Sequence, residues 1–473
     1  YLGIDKRARL LIVIHHLVVD GVSWRILLED LLSAYQQLAQ GKAIALPAKT
    51  TSFKDWSYKL TEYAQSPSLK EEVAYWLAYN RACVPSIPVD YIQGANTVAS
   101  ASTVSVSLNE VETRALLQDV PSSYNTQIND VLLTALVLVL AKWTNSSSVL
   151  FNLEGHGRQD IVDGVDLSRT VGWFTTIFPV LVELQATENP ADALKFVKEQ
   201  LRAIPNKGIG YGLLRYLSQD AEIATQLQAF PIAEISFNYL GQFSQLLNTS
   251  SWMQLASESA AHSHGLHNNR AHLLDINSII TGEQLQIEWT YSTNVHQHAT
   301  IESLAQEFVQ TLRGLIAHCS SPESGGYTPS DFPLIKLNQL ELDQLLASPA
   351  LKQGLNQTSW RNIEDIYPLS GMQQGMLFES LYAPDSGVYF EQLSCTLRGK
   401  LNVPAFEQAW QKVVARHSIL RTAFVWEQLA QPLQVVYWQV DISLNSHDWQ
   451  ELSAQQQQQQ LEALLHSQRQ QGF

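Results

Sequence analysis

The stretch "IVIHHLVVDGVSWRIL", Ile12–Leu27, decides how the fold is read. Its opening residues are apolar and β-branched, so Arg9–His15 is expected to be a strand. Asp20–Gly21 marks a turn. Ser23 is placed to cap a helix whose apolar stripe (Ile26, Leu28, Leu31, Leu32, Tyr35, Leu38) ends near Gly41. Two adjacent histidines at the end of an apolar strand are costly packing unless hydrogen-bonded or used. Successive strand side chains point to opposite faces, so His15, His16 and Asp20 make a poor metal site. One ring is expected to face a cavity while the other packs inward.

Outward from this stretch, strands and helices alternate. Thr103–Leu108, Ser148–Leu153, Phe178–Leu184, "AEISFNYLG" and "LQIEWTYS" read as strands, and Asn129–Trp143 reads as a buried helix. The class is mixed α/β. The apolar run Val131–Ala141 is shorter than the ~20 residues a bilayer needs.

The 473 residues carry a net charge of −15, which repels phosphate backbones and anionic lipid and argues against nucleic acid and membrane as partners. The three cysteines, Cys83, Cys319 and Cys395, are distant in sequence, which suits a reducing cytoplasm and no structural zinc. A histidine cluster (His262, His264, His267, His272) has no carboxylate or thiolate at ligand spacing, so no metal is expected. The glycines of "KGIGYG" are not followed by the Lys-Ser/Thr of a phosphate loop. Around Cys319 the texture turns rich in Ser, Pro and Gly, as in a linker. Gln455–Gln460 reads as the solvated face of a helix.

The block HHxxxDG at His15–Gly21 resembles the signature of the condensation-domain superfamily of nonribosomal peptide synthetases, related in fold to chloramphenicol acetyltransferase. "EGHGRQ" (Glu154–Gln159), "RTVGWFTTIFPV" (Arg169–Val180), "PNKGIGYG" (Pro205–Gly212) and "FNYLGQF" (Phe237–Phe243) follow in the order of the epimerization-domain motifs. The resemblance implies a two-lobe fold over 1–317, with the N-lobe incomplete. It also implies that His16 and Glu154 flank a substrate, with Tyr239 and Asn238 facing the same tunnel. His15, Asp20, Gly21, Arg158 and Trp173 are read as supporting residues, and His156 as loop-shaping.

"YPLSGMQQGMLFESL" (Tyr367–Leu381) and "RHSILRTAF" (Arg416–Phe424) resemble the first motifs of a condensation domain accepting a D-configured donor, with Gly371 where the family usually shows Pro. Residues 318–362 are then a linker, and 363–473 the front of that second domain without its own HHxxxDG. The resemblance places the arginine partner of Asp20 in a segment upstream of this chain. Arg416 or Arg421, in the homologous segment of the second domain, is the expected substitute.

The implied chemistry is inversion of the Cα of an aminoacyl or peptidyl thioester. It needs one group to accept a proton and another to return one to the opposite face. His16 titrates near neutrality by type, and Glu154 needs burial to approach that range. Which of the two deprotonates which enantiomer stays open. No intrinsic cofactor is expected, because the phosphopantetheine arm belongs to a carrier domain, the expected partner alongside adenylation and condensation domains. Two other readings remain: a coenzyme A-dependent acyltransferase, which needs no second proton-transfer group, and a non-catalytic carrier-docking module.

Overall fold

The computed structural model describes residues 8–78, 84–185, 189–242, 265–322, 324–348, 351, 360–383, 388–427, 429–442 and 444–471. The chain forms two compact units, Tyr1–Gly325 and Gly326–Phe473.

The first unit is built on a mixed sheet of β1 (Ala101–Ser107), β2 (Ser148–Gly155), β3 (Thr176–Glu183), β4 (Ile235–Gln242), β5 (Leu274–Thr281) and β6 (Gln284–Ser292). Their order is β1-β6-β5-β4-β2-β3. β4 runs parallel to both β2 and β5, and the other pairs are antiparallel.

Period-two patterning gives this sheet two different faces. Val104, Phe151, Leu153, Ile235, Phe237, Ile276, Ile287 and Trp289 are buried in one cluster with the helices Glu110–Tyr124, Ile128–Thr144 and His298–Cys319. Burial of each large apolar side chain contributes roughly 1.5–3 kcal/mol. At the alternate positions Leu150 and Leu181 form a small buried cluster of their own, and the rest of this face carries polar residues that line up across strands. One row runs Thr103, Thr290, Asp275, Ser236, Asn152, and the next runs Ser105, Glu288, Asn277, Asn238. Glu154 extends the second row onto β2, two residues beyond Asn152.

Ile128–Thr144 is buried nearly all round, which fits its sequence. Its first turn is fixed by Asp130, which accepts from the Gln127 amide at 2.7 Å and from both terminal nitrogens of Arg202. Among the described residues no single helix is long and apolar enough to cross a membrane.

Arg9–His15 was expected to be a strand, but its described residues join no sheet, and a single 3-10 turn follows at His16–Val18. The physical reason is that a strand needs a paired ladder. Among the described residues no strand pairs with this segment, and Leu10, Leu11 and Val13 are exposed at 68%, 74% and 82%. The cap of Gly21–Ala39 is Asp20 rather than Ser23, because the Asp20 carboxylate accepts the Ser23 amide at 2.7 Å.

The second unit has an antiparallel sheet of β7 (Ile363–Pro368), β8 (Thr422–Val425) and β9 (Leu433–Tyr437), ordered β7-β9-β8. Within the stretch read as a linker, Phe332, Ile335 and the helix Gln339–Ala347 pack with this sheet in one buried cluster. The glutamine run lies on the exposed helix Ala454–Gln471.

Candidate functional site

Glu154 sits near the end of β2, on the polar face, and its Oε2 accepts from Asn238 Nδ2 at 2.8 Å. Parallel pairing of β2 with β4 sets these side chains beside each other. Burial pushes the Glu154 carboxyl above its ordinary range. The nearby charges of His272 and His16 oppose that shift, and Asp275 adds to it, but none outweighs burial. The structure thus pairs Glu154 directly with Asn238, and the charge of His16 acts weakly on the same carboxyl.

His16 is exposed, and its ring lies 5.6 Å from that of Trp173, centroid to centroid. His15 is exposed as well, with Nδ1 accepting the Leu17 amide at 3.1 Å. The expected split into one inward and one outward ring does not occur, because no sheet among the described residues encloses this segment.

Tyr239 does not join the group. It follows Asn238 directly, so strand alternation sends it to the opposite face, where it packs against the apolar cluster. Burial there raises its hydroxyl to about 12.

Asp20 was expected to pair with Arg416 or Arg421, but its partner is Arg158. Arg158 Nη2 lies 3.1 Å from its Oδ1, with the two side chains 8% and 3% exposed. Oδ2 also accepts the Phe174 amide at 3.1 Å. Arg158 further donates to the carbonyls of Leu167 and Thr170 at 2.9 and 2.7 Å, and its guanidinium lies 3.9 Å from the centre of the Phe174 ring. Gly172 donates its amide to Ser23 Oγ, which donates to the Gly172 carbonyl. Three motifs thus meet at one buried ion pair: HHxxxDG, EGHGR and RTVGWF. Arg158 serves Asp20, not Glu154. Arg421 is held inside the second unit by Glu364 at 2.5 Å and by the carbonyls of Val414 and Tyr437, while Arg416 is exposed. Gly21 opens the helix in open space.

Gly157 closes the EGHGR turn at φ +66, where a Cβ would lie 1.6 Å from the Phe174 carbonyl oxygen. That close approach explains glycine at this position.

A second polar group lies in the row beside Glu154, and sequence reading missed its role. His272 is 2.9 Å from Asn152 Nδ2 through Nε2 and 3.1 Å from Asp275 Oδ1 through Nδ1. Arg270 Nη2 is 2.6 Å from Asp275 Oδ2, and Ser236 Oγ donates to Oδ1 at 2.7 Å. Burial would raise the Asp275 carboxyl, but the hydrogen bonds from His272, Ser236 and Arg270 bring it below its ordinary range. The signal was the alternation in "FNLE" and "LDIN". His262 and His264 lie outside the described residues. Among the described residues no three His, Cys, Asp or Glu side chains gather as metal ligands.

The condensation-domain family model matches residues 3–336 and 363–473. This chain belongs to the condensation-domain family of nonribosomal peptide synthetases. Linear gramicidin synthase subunits C and D of Brevibacillus parabrevis are 52% and 47% identical to it, each over 100% of the chain. The chain spans 6% and 9% of those curated relatives. Among solved structures, the epimerization domain from the third module of tyrocidine synthetase B is 41% identical, with a TM-score of 0.61. That match covers 65% of this chain and 68% of the other. The mixed sheet with helices against one face is the condensation-family fold.

Proposed function

We propose that the unit Tyr1–Gly325 epimerises the Cα of an aminoacyl or peptidyl thioester carried on the phosphopantetheine arm of a carrier domain. The observation that carries this reading is the Glu154 carboxyl, held by Asn238, raised in proton affinity by burial, and biased by His16. A buried carboxyl of that kind both accepts and donates a proton closer to neutrality than an exposed one.

In the proposed reaction one group takes the Cα proton, and the C–H electron pair moves into the thioester carbonyl as an enolate. The other group then returns a proton to the opposite face of Cα, and no net redox change occurs. Glu154 and His16 are the two groups. An acyltransferase would use one base, so a second proton-transfer group favours epimerization. The 41% identity to a solved epimerization domain supports the same reading. The buried Asp20–Arg158 pair holds the three motifs in register and is read as support rather than chemistry. The arm is substrate to this unit, and the carrier domain is its partner, with adenylation and condensation domains alongside, in the cytoplasm. The segment 363–473 is read as the front of a condensation domain accepting the D-configured product.

The test is deuterium wash-in from heavy water at Cα, on the full-length polypeptide with its carrier loaded with the proteinogenic L-aminoacyl phosphopantetheine thioesters. Glu154→Gln and His16→Ala are each expected to slow exchange by about 10²–10⁴-fold. Native exchange in both variants, or none in the native protein across the panel, would refute the reading. Single-turnover reactions started from L and D thioesters assign the direction served by each group.

A further inference from the structure

Asn152 and Glu154 lie two residues apart on β2, so both point to the polar face, about 6.6 Å apart along the strand. The His272 ring reaches Asn152 across β4, the strand between β2 and β5, and is gripped from behind by Asp275. This clamp accepts the ring in either charge state. When the Asn152 amide donates, Nε2 accepts and Nδ1–H donates to Asp275. When the ring takes a second proton, the amide turns over and its oxygen accepts from Nε2. Arg270 and Asp275 balance each other at 2.6 Å, so the cluster is close to neutral with a neutral ring and positive with a protonated one. The ring is 14% exposed, enough for protons to reach it.

We infer that His272 is a positioning residue for Glu154: clamped between Asp275 and Asn152 in the neighbouring row, it supplies a switchable positive charge that sets how readily Glu154 releases its proton. The inference rests on the reading of Glu154 as a proton-transfer group. The charged groups acting on Glu154 are His272 and His16, which favour the ionised carboxyl, and Asp275, which disfavours it. All three are secondary to burial. A purely structural bridge across β4 would need a hydrogen-bonding side chain there but no charge.

The test is the pH profile of Cα deuterium wash-in on the full-length polypeptide with the same loaded carrier panel. At separations on the order of 7 Å, the scale of adjacent side chains on one sheet face, a unit charge is worth about half a pH unit to one and a half in a proton equilibrium, depending on local screening. His272→Gln is expected to move the low-pH midpoint of exchange upward by that amount. His272→Lys, which keeps a positive charge beside Asp275, should return it to the native value or below. His272→Asn replaces the glutamine variant should that fail to fold. Reduced rates with native midpoints in both the neutral and the lysine variants would overturn the inference. Glu154→Gln run in parallel separates the two claims. Native exchange in that variant removes the role of Glu154 and this inference with it. Loss of exchange there, with unmoved His272 midpoints, removes the role of His272 alone.

Discussion

Replacing Arg158 with Met tests whether one buried ion pair joins the three motifs. The substitution preserves much of the length and the contact with Phe174 but removes the charge. Asp20, 3% exposed, would keep its bonds from the Ser23 and Phe174 amides and lose its counter-charge. Breaking a buried pair by removing one partner costs about 3–5 kcal/mol. The two surviving amide bonds keep the cost toward the lower end, while the carbonyls of Leu167 and Thr170 lose their donor and push it up. The expected loss is therefore about 3–5 kcal/mol. Asp20→Asn keeps a competent helix cap and strands the guanidinium instead, so it is also strongly destabilising. The double variant strands neither charge and should fall short of the sum by about 1–3 kcal/mol. Urea unfolding followed by tryptophan fluorescence measures all three, and hydrogen exchange at the Ser23 and Phe174 amides localises the change. Salt should matter little, because a pair this buried is weakly screened. A loss below about 1 kcal/mol for Arg158→Met, or additivity within about 0.5 kcal/mol, would refute the account.

Burial holds the Glu154 carboxyl above its ordinary value of 4.5, so from there up to the raised value the folded chain binds more protons than the unfolded one, and stability falls as pH rises. Glu154→Gln removes that loss and should be the more stable protein at neutral pH, the difference closing below the ordinary carboxylate range. Equal urea midpoints at neutral pH would contradict this. Tyr239→Phe, on the core face, should leave deuterium wash-in within about threefold of native, well short of the 10²–10⁴ expected for a positioned acid or base; a loss in that larger range would place the hydroxyl in the reaction. Gly157→Ala sets a Cβ against the Phe174 carbonyl at positive φ and should cost about 2–4 kcal/mol by urea unfolding. Gly212→Ala, with nothing within 4 Å on the helix Ile209–Tyr216, should be neutral or stabilising by up to about 1 kcal/mol.

The sheet was legible where apolar and β-branched residues run together, and β5, whose burial alternates throughout, was missed because its sequence interleaves Asp275, Asn277 and Ser278 with the apolar residues. β1, β2, β3, β4 and β6 fall where those apolar runs put them, with alternation visible in β1 and nearly continuous burial in β3. The same rule misled at Arg9–His15, because apolar β-branched composition reports a preference for pairing without supplying the partner. Asp20 failed for a related reason. A carboxylate that must be paired does not say with which arginine, and Arg158, 138 residues away, becomes its neighbour through the packing of two turns. Tyr239 is the instructive case. Its neighbour Asn238 was grouped with it by motif, yet adjacent strand residues cannot share a face. Had the period-two rule been carried through "FNLE", "SFNY" and "LDIN" together, Asn152, Glu154, Asn238, Asp275 and Asn277 would have fallen on one surface and Tyr239 on the other. Motif order thus selects the family, while strand parity decides which motif residues meet a substrate. Where the two disagree, parity is the stronger physical argument, since reversing it would put Asn238 into the apolar cluster and Tyr239 on the polar face.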